Sequence, residues 1–129
     1  MANLKKTRDI VLQLTKQDEP VYGINTGFGR FSNVKIPADK LTELQYNLIR
    51  SHSTGVGKQL PIDITRRIVA LRINTLAKGY SGVSNSTVRR LLEFFNSGVL
   101  PWIPSIGSVG ASGDLVPLAH IGLGLIGEG

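Results

Sequence analysis

From Phe94 to Gly127 the chain carries a single formal charge, Asp114. So long a run without charged side chains is a poor solvated face for a small domain, and it is expected to be interior. The rest of the sequence differs: all 15 Lys and Arg precede residue 91. With only 129 residues available to cover an apolar interior, the chain is expected to belong to a longer polypeptide or assembly. It reads as one partial domain over residues 1–129, since no linker, repeat or low-complexity segment divides it.

Helical periodicity dominates. Leu4, Ile10, Val11 and Leu14 form an apolar stripe for a first helix that ends before Pro20. A second spans Ala38 to about His52, with Leu41, Leu44, Leu48 and Ile49 on one face. Asp63 to Lys78 places Ile64, Ile68, Leu71 and then Thr75 or Leu76 together, and Gly79 suits its C-terminal cap. Ser86 to Ser97 aligns Val88, Leu91, Leu92 and Phe95, and a further helix starts near Asp114. Strand signals are limited to Val21–Ile24 and Val99–Ile103, the latter weakened by Pro101. The expected class is mainly α.

Composition excludes several functions. Without cysteine there is no disulfide framework or thiolate zinc site, and with two histidines no metal site is expected. The N-terminus lacks the apolar core of a signal peptide, and the Leu115–Ile126 run falls short of the roughly 20 residues that span a bilayer. A cytoplasmic protein without a membrane segment is the expectation. The net charge of +6 raises an alternative of another class, a non-catalytic basic helical binding fragment. Its cations are scattered without interleaved aromatics, so no nucleic-acid partner is expected.

Two glycine-rich segments stand out, Tyr22-Gly-Ile-Asn-Thr-Gly-Phe-Gly29 and Gly107-Ser-Val-Gly-Ala-Ser-Gly-Asp114. Neither has the Lys-Ser/Thr ending of a phosphate loop. The GxGxxG at Gly122, Gly124 and Gly127 lies within an expected helix with no preceding strand, so no nucleotide is expected. Ser112 lacks the second glycine of a hydrolase elbow. On residue chemistry alone, Ser112 and Asp114 are first-turn groups of a helix, His52 interacts with a helix C-terminus, His120 is a satisfied core histidine and Tyr22 is packing.

Taken together, the motifs resemble the aromatic amino acid ammonia-lyase family. The resemblance is carried by residues 22–29, by Leu-Gln-Tyr-Asn-Leu-Ile-Arg-Ser-His at 44–52, by Ser-Gly-Val at 81–83, and by Gly-Ser-Val-Gly-Ala-Ser-Gly-Asp-Leu-Val-Pro-Leu-Ala-His at 107–120. It implies the helical N-terminal domain of the fumarase/aspartase-like ammonia-lyase fold, truncated at both ends. It also implies a methylidene-imidazolone made from Ala111, Ser112 and Gly113. The Gly113 nitrogen attacks the Ala111 carbonyl carbon and two waters are lost, Ser112 becoming the exocyclic methylidene. Glycine supplies an unhindered nitrogen and unusual dihedrals, and alanine is small enough not to obstruct the bend. No metal is implied.

By the same resemblance Tyr22 is the base that takes the β-proton, and Asp114 assists ring formation. Ser51-His52 matches the pair found in histidine-directed members. This implies L-histidine as substrate, with urocanate and ammonia as products; a buried imidazole needs a hydrogen-bonding partner, which a ring selector at His52 supplies. A phenylalanine or tyrosine lyase, or an aminomutase, is the alternative within the family. The implied partners are the remainder of the lyase chain and neighbouring subunits of a homotetramer, which supply the carboxylate clamp absent here. The 129 residues alone are therefore expected to be inactive, with the ring unformed.

Overall fold

A computed structural model describes residues 2–110 and 113–129. Five helices account for most of the chain: α1 (Ala2–Leu14), α2 (Leu41–His52), α3 (Ile62–Ala77), α4 (Asn85–Asn96) and α5 (Leu115–Ile126). Short 3-10 turns cover Gly29–Phe31 and Ala38–Lys40, the second leading directly into α2. Ser84 caps α4 by accepting from the Thr87 N–H at 3.1 Å. Gly79 and Gly127 follow α3 and α5 at φ +76° and +79°, where glycine ends a helix without a Cβ penalty.

α3 forms the middle of the core. Its Val69, Ile73 and Leu76 pack with Leu4 of α1, Val88 and Leu91 of α4, Ile103, and Ile121 of α5. Full burial of each such side chain stabilises the fold by about 1.5–3 kcal/mol. Arg66 of α3 lies 4.3 Å from the Phe95 ring centroid, adding a cation–π contact to the α3–α4 seam. The buried face of α3 departs in part from the expected stripe, keeping Leu76 with Ile68 beside it. It runs through Thr65, Val69, Ile73 and Leu76, leaving Leu71 66% exposed.

The expected strands are also corrected. Val21–Ile24 is a turn and Val99–Ile103 is not a strand. An antiparallel pair forms instead between β1 (Val56–Gln59) and β2 (Pro104–Ile106). Val56 pairs with Ile106 and Gln59 with Pro104, so β1 carries one extra residue, accommodated at Gly57 with φ +92°.

The charge-poor stretch is interior only in part. Pro101, Ile103, Pro117, Ala119 and Ile121 are buried, whereas Trp102, Ile106, Val109 and Leu115 are each more than half exposed. The GxGxxG glycines have a packing role. A Cβ on Gly122 would meet Ile49 of α2 at 3.2 Å, and one on Gly124 would meet the Phe94 ring at 3.2 Å. These two glycines let α2 and α4 approach α5 closely, and Gly127 is the cap.

Candidate active site

The segment after α1 folds around one buried amide. Asn25 Oδ1 accepts from the Val21 N–H at 2.7 Å, and its Nδ2 donates to the Glu19 carbonyl at 3.0 Å, with the Leu14 and Gln17 carbonyls at 3.5 Å. Its backbone carbonyl accepts from the Ile36 N–H at 2.8 Å, and Gly27 donates to Val34 at 3.1 Å, which closes the loop on itself. Asn25 is 1% exposed, so these bonds replace all its contact with water. Tyr22 stands on this frame 61% exposed, its ring edge-to-face with Phe28 at 5.8 Å. Tyr22 is thus presented to the outside, and packing is a minor part of its role.

The last turn of α2 sets the Ser51-His52 pair. His52 Nδ1 lies 2.8 Å from the Leu48 carbonyl, which can only accept, so Nδ1 carries a proton. In the neutral ring Nε2 is then an acceptor. Ser51 Oγ donates to the same carbonyl at 3.0 Å and lies 3.2 Å from His52 Nδ1. A cavity of about 350 Å³ joins this turn to the Tyr22 loop, lined by Phe28, Phe31, Leu44, Leu48 and Ser51. At the outer side, Arg50 makes a two-pronged pair with Glu128 at 2.8 and 2.6 Å, tying α2 to the end of α5. This pair holds the Glu128 carboxyl below the usual carboxylate range and raises the Arg50 guanidinium.

Ala111 and Ser112 lie outside the described residues, but both flanks of their loop are defined. Asp114 sits at the N-cap position of α5 without capping it. Its carboxylate turns back instead, accepting from the Ser108 hydroxyl at 2.5 Å and from the Val109 N–H at 3.2 Å. The expected first-turn role of Asp114 is replaced by closure of the loop. Gly113 has φ +137°, yet an added Cβ would meet only Leu115 at 3.9 Å. Glycine is needed there for its backbone and not for space. At the other end Gly107, φ +142°, would place a Cβ 2.8 Å from Val116 and 3.1 Å from the Gly55 Cα. Here both reasons apply.

The β1–β2 pair brings two of these regions together. β1 begins four residues after His52 and β2 ends one residue before Gly107, so their pairing sets the α2 terminus beside the start of the 107–114 loop. Among the described residues, a hydrogen bond joins Ser51 to His52, whereas Tyr22 touches Phe28, which with Ser51 lines the cavity; neither Tyr22 nor His52 is among its lining residues. Sequence reasoning missed Asn25, Gly55 and Gly107 as organisers. The only signal for Asn25 was its polarity between Ile24 and Gly27, and nothing local points from Gly55 to residue 107. Among the described residues no group of three His, Cys, Asp or Glu is placed to hold a metal, and no helix is long and apolar enough to cross a membrane.

The aromatic amino acid lyase family matches residues 1–129 in full. The chain belongs to that family. It is 54% identical over 126 residues to histidine ammonia-lyase of Bos taurus, covering 98% of this chain and 19% of that protein. Histidine ammonia-lyase of Streptococcus sanguinis is 52% identical, with 98% and 25% covered. Among solved structures, tyrosine aminomutase from Streptomyces globisporus superposes with a TM-score of 0.89 at 44% identity, covering 99% of this chain and 24% of that one. Histidine ammonia-lyase from Trypanosoma cruzi gives 0.85 and 45%, with 99% and 24% covered. The chain therefore spans about a fifth to a quarter of the length of these relatives. Over that span its helical fold is theirs, and the Tyr22, Ser51-His52 and 107–114 segments lie within the matched region.

Proposed function

We propose that residues 1–129 form part of a longer ammonia-lyase that converts L-histidine to urocanate and ammonia. The observation that carries this reading is the last turn of α2: the Leu48 carbonyl fixes the His52 proton on Nδ1 and leaves Nε2 to accept from the N–H of a substrate imidazole. An apolar residue in that position would leave the substrate N–H unpaired on burial, which is how such a site discriminates between rings. The resemblance of the Ser51-His52 pair to histidine-directed members, and the names of the relatives at 52–54% identity, agree with it. The exposed Trp102, Val109 and Leu115 are the surface that further chain and neighbouring subunits would cover.

The flanks of the 107–114 loop fit a ring closed between Ala111 and Gly113. Gly113 has a backbone conformation suited to glycine and open space around it, and Asp114 draws Ser108 and Val109 toward the C-terminal side of the loop. The methylidene-imidazolone would supply an electrophile that makes the substrate amine a good leaving group. Within this chain, Tyr22 takes the β-proton from its exposed position on the Asn25-braced loop, while His52 orients the ring. Asp114 keeps the loop ends together, which suits the part in ring formation that the family resemblance implies for it.

A tyrosine or phenylalanine aminomutase is the second reading, favoured by the superposition on the Streptomyces globisporus enzyme. Product analysis separates the two. The complete protein, given L-histidine and no added cofactor, is expected to release urocanate and to have an intact mass lower by two waters than its sequence. A β-amino acid product from tyrosine or phenylalanine, without urocanate, would replace this reading with the second. The 129-residue chain by itself is expected to be inert and to keep its full mass.

A further inference from the structure

His120 takes no part in the chemistry described above, yet it joins two of its segments. The Gly55 N–H donates to His120 Nε2 at 3.3 Å, across 65 residues of sequence. Gly55 lies three residues beyond His52, and His120 lies on α5 six residues beyond Asp114. The contact is built closely. A Cβ on Gly55 would sit 3.0 Å from His120 Nε2 and 3.0 Å from the Pro104 ring, and a Cβ on Gly107 would sit 3.1 Å from the Gly55 Cα. Three segments therefore meet at Gly55: the exit of α2, the β2–Gly107 segment, and α5 through the His120 side chain.

We propose that His120 is a positioning residue that acts through its Nε2 lone pair on Gly55, fixing the Ser51-His52 turn relative to the 107–114 loop. The catalytic consequence rests on the function proposed above; the contact itself does not. An accepting Nε2 requires the ring's single proton to be on Nδ1, so His120 works as a neutral imidazole. Its partial burial pushes the ring's pKa below the ordinary histidine value, which favours that form. His120 and His52 thus hold the same tautomer for different ends, one toward the protein and one toward the substrate. The sheet register alone leaves the turn free to pivot, because β1 is exposed along its whole length and bulged at Gly57. On the helix side α2 is held to α5 at Ile49–Gly122 and Arg50–Glu128, and the His120 bond extends that hold past the end of α2 to Gly55 itself.

The test uses the complete protein with His120→Leu, which deletes the acceptor, and His120→Gln, whose amide oxygen can restore it. Hydrogen exchange of the peptide containing Gly55 is read by mass spectrometry, and kcat and KM are measured for L-histidine in wild-type and His52→Leu backgrounds. With His120→Leu, Gly55 exchange is expected to rise and kcat for histidine to fall about 10-fold or more. His120→Gln should keep Gly55 protected and kcat within about 3-fold, and in the His52→Leu background His120→Leu should change activity less than about 2-fold. An undiminished loss in that background would make His120 a stability element only and overturn the proposal. So would a freely exchanging Gly55 in the wild type, or equal exchange in all three proteins. Should His120→Leu fail to fold, His120→Gln decides: loss of Gly55 protection despite its acceptor counts against the proposal. A protein that never forms urocanate refutes the proposed function instead, and the exchange arm still decides the contact.

Discussion

The two glycine-rich loops look alike in sequence and are built in opposite ways. The Tyr22 loop is braced from within: the buried Asn25 amide bonds to the backbone of Val21 and Glu19 just before Tyr22, and the loop closes through Gly27–Val34 and Asn25–Ile36. The 107–114 loop is held at its ends, by the Asp114 carboxylate and by the Gly107 approach to Gly55 and Val116. The first loop suits a rigid platform presenting one side chain. The second has both its ends fixed, as the proposed ring closure between them would require. A short glycine-rich motif can therefore be braced internally or held at its ends, and the bonding of its polar neighbour distinguishes the two.

If the Tyr22 loop is a platform, chemistry and stability should separate within it. Tyr22→Phe in the complete protein is expected to lower turnover about 100-fold or more while histidine affinity and the melting temperature hardly move, because the base acts on a proton in flight. Turnover within a few-fold of wild type would remove Tyr22 from that role. Asn25→Leu should do the reverse. It leaves the Val21 N–H and Glu19 carbonyl without their partner and is expected to destabilise the fold by about 2–4 kcal/mol in chemical denaturation.

In the other loop, the two ends should respond differently to the same substitution. Gly107→Ala meets both an unfavourable φ and the Val116 contact at 2.8 Å, and is expected to cost about 1–3 kcal/mol. Gly113→Ala meets only the φ, so its cost should be about 1 kcal/mol, yet its intact mass should lack the two-water loss proposed for the complete protein. Equal destabilisation by the two would contradict the assignment of different reasons to the two glycines.

The smallest expected effect is on pH dependence. The His120 pKa is lowered by burial, so the unfolded chain binds more protons than the folded one between the two values. Its contribution is present above about pH 6.5 and fades as pH falls through the lower folded value. The lowered Asp18 and Glu128 carboxyls act in a more acid window, since their ordinary values lie near pH 4. Denaturation midpoints should therefore fall slightly below pH 6.5 in the wild type and less so in His120→Gln.

Much of the helical frame was legible because its apolar residues recur at helical spacing, as with Val88 and Leu91 of α4. In α3 the expected Leu76 is buried and Ile68 packs against the core, but Leu71 is exposed; tertiary packing centred the buried face on Thr65, Val69 and Ile73 instead. The strands were illegible for a different reason. Val56-Gly-Lys-Gln is exposed throughout and has no buried face to impose alternation. Tyr22, Ser51, His52 and Asp114 were visible as motif residues, but the closure by Asp114 and the Gly55–His120 bond depend on contacts between segments, which no local pattern encodes.

If the His52 tautomer set by Leu48 selects an imidazole substrate, His52 must discriminate histidine from phenylalanine. The direct measurement is the ratio of kcat/KM for L-histidine over L-phenylalanine in the complete protein, wild type against His52→Leu. Removing the acceptor leaves the imidazole N–H unpaired on burial, a loss of about 1–3 kcal/mol, so the ratio is expected to fall about 5- to 150-fold, with phenylalanine little affected or improved. An unchanged ratio would return His52 to the role of a helix-end side chain bonded to Leu48 and contradict the account.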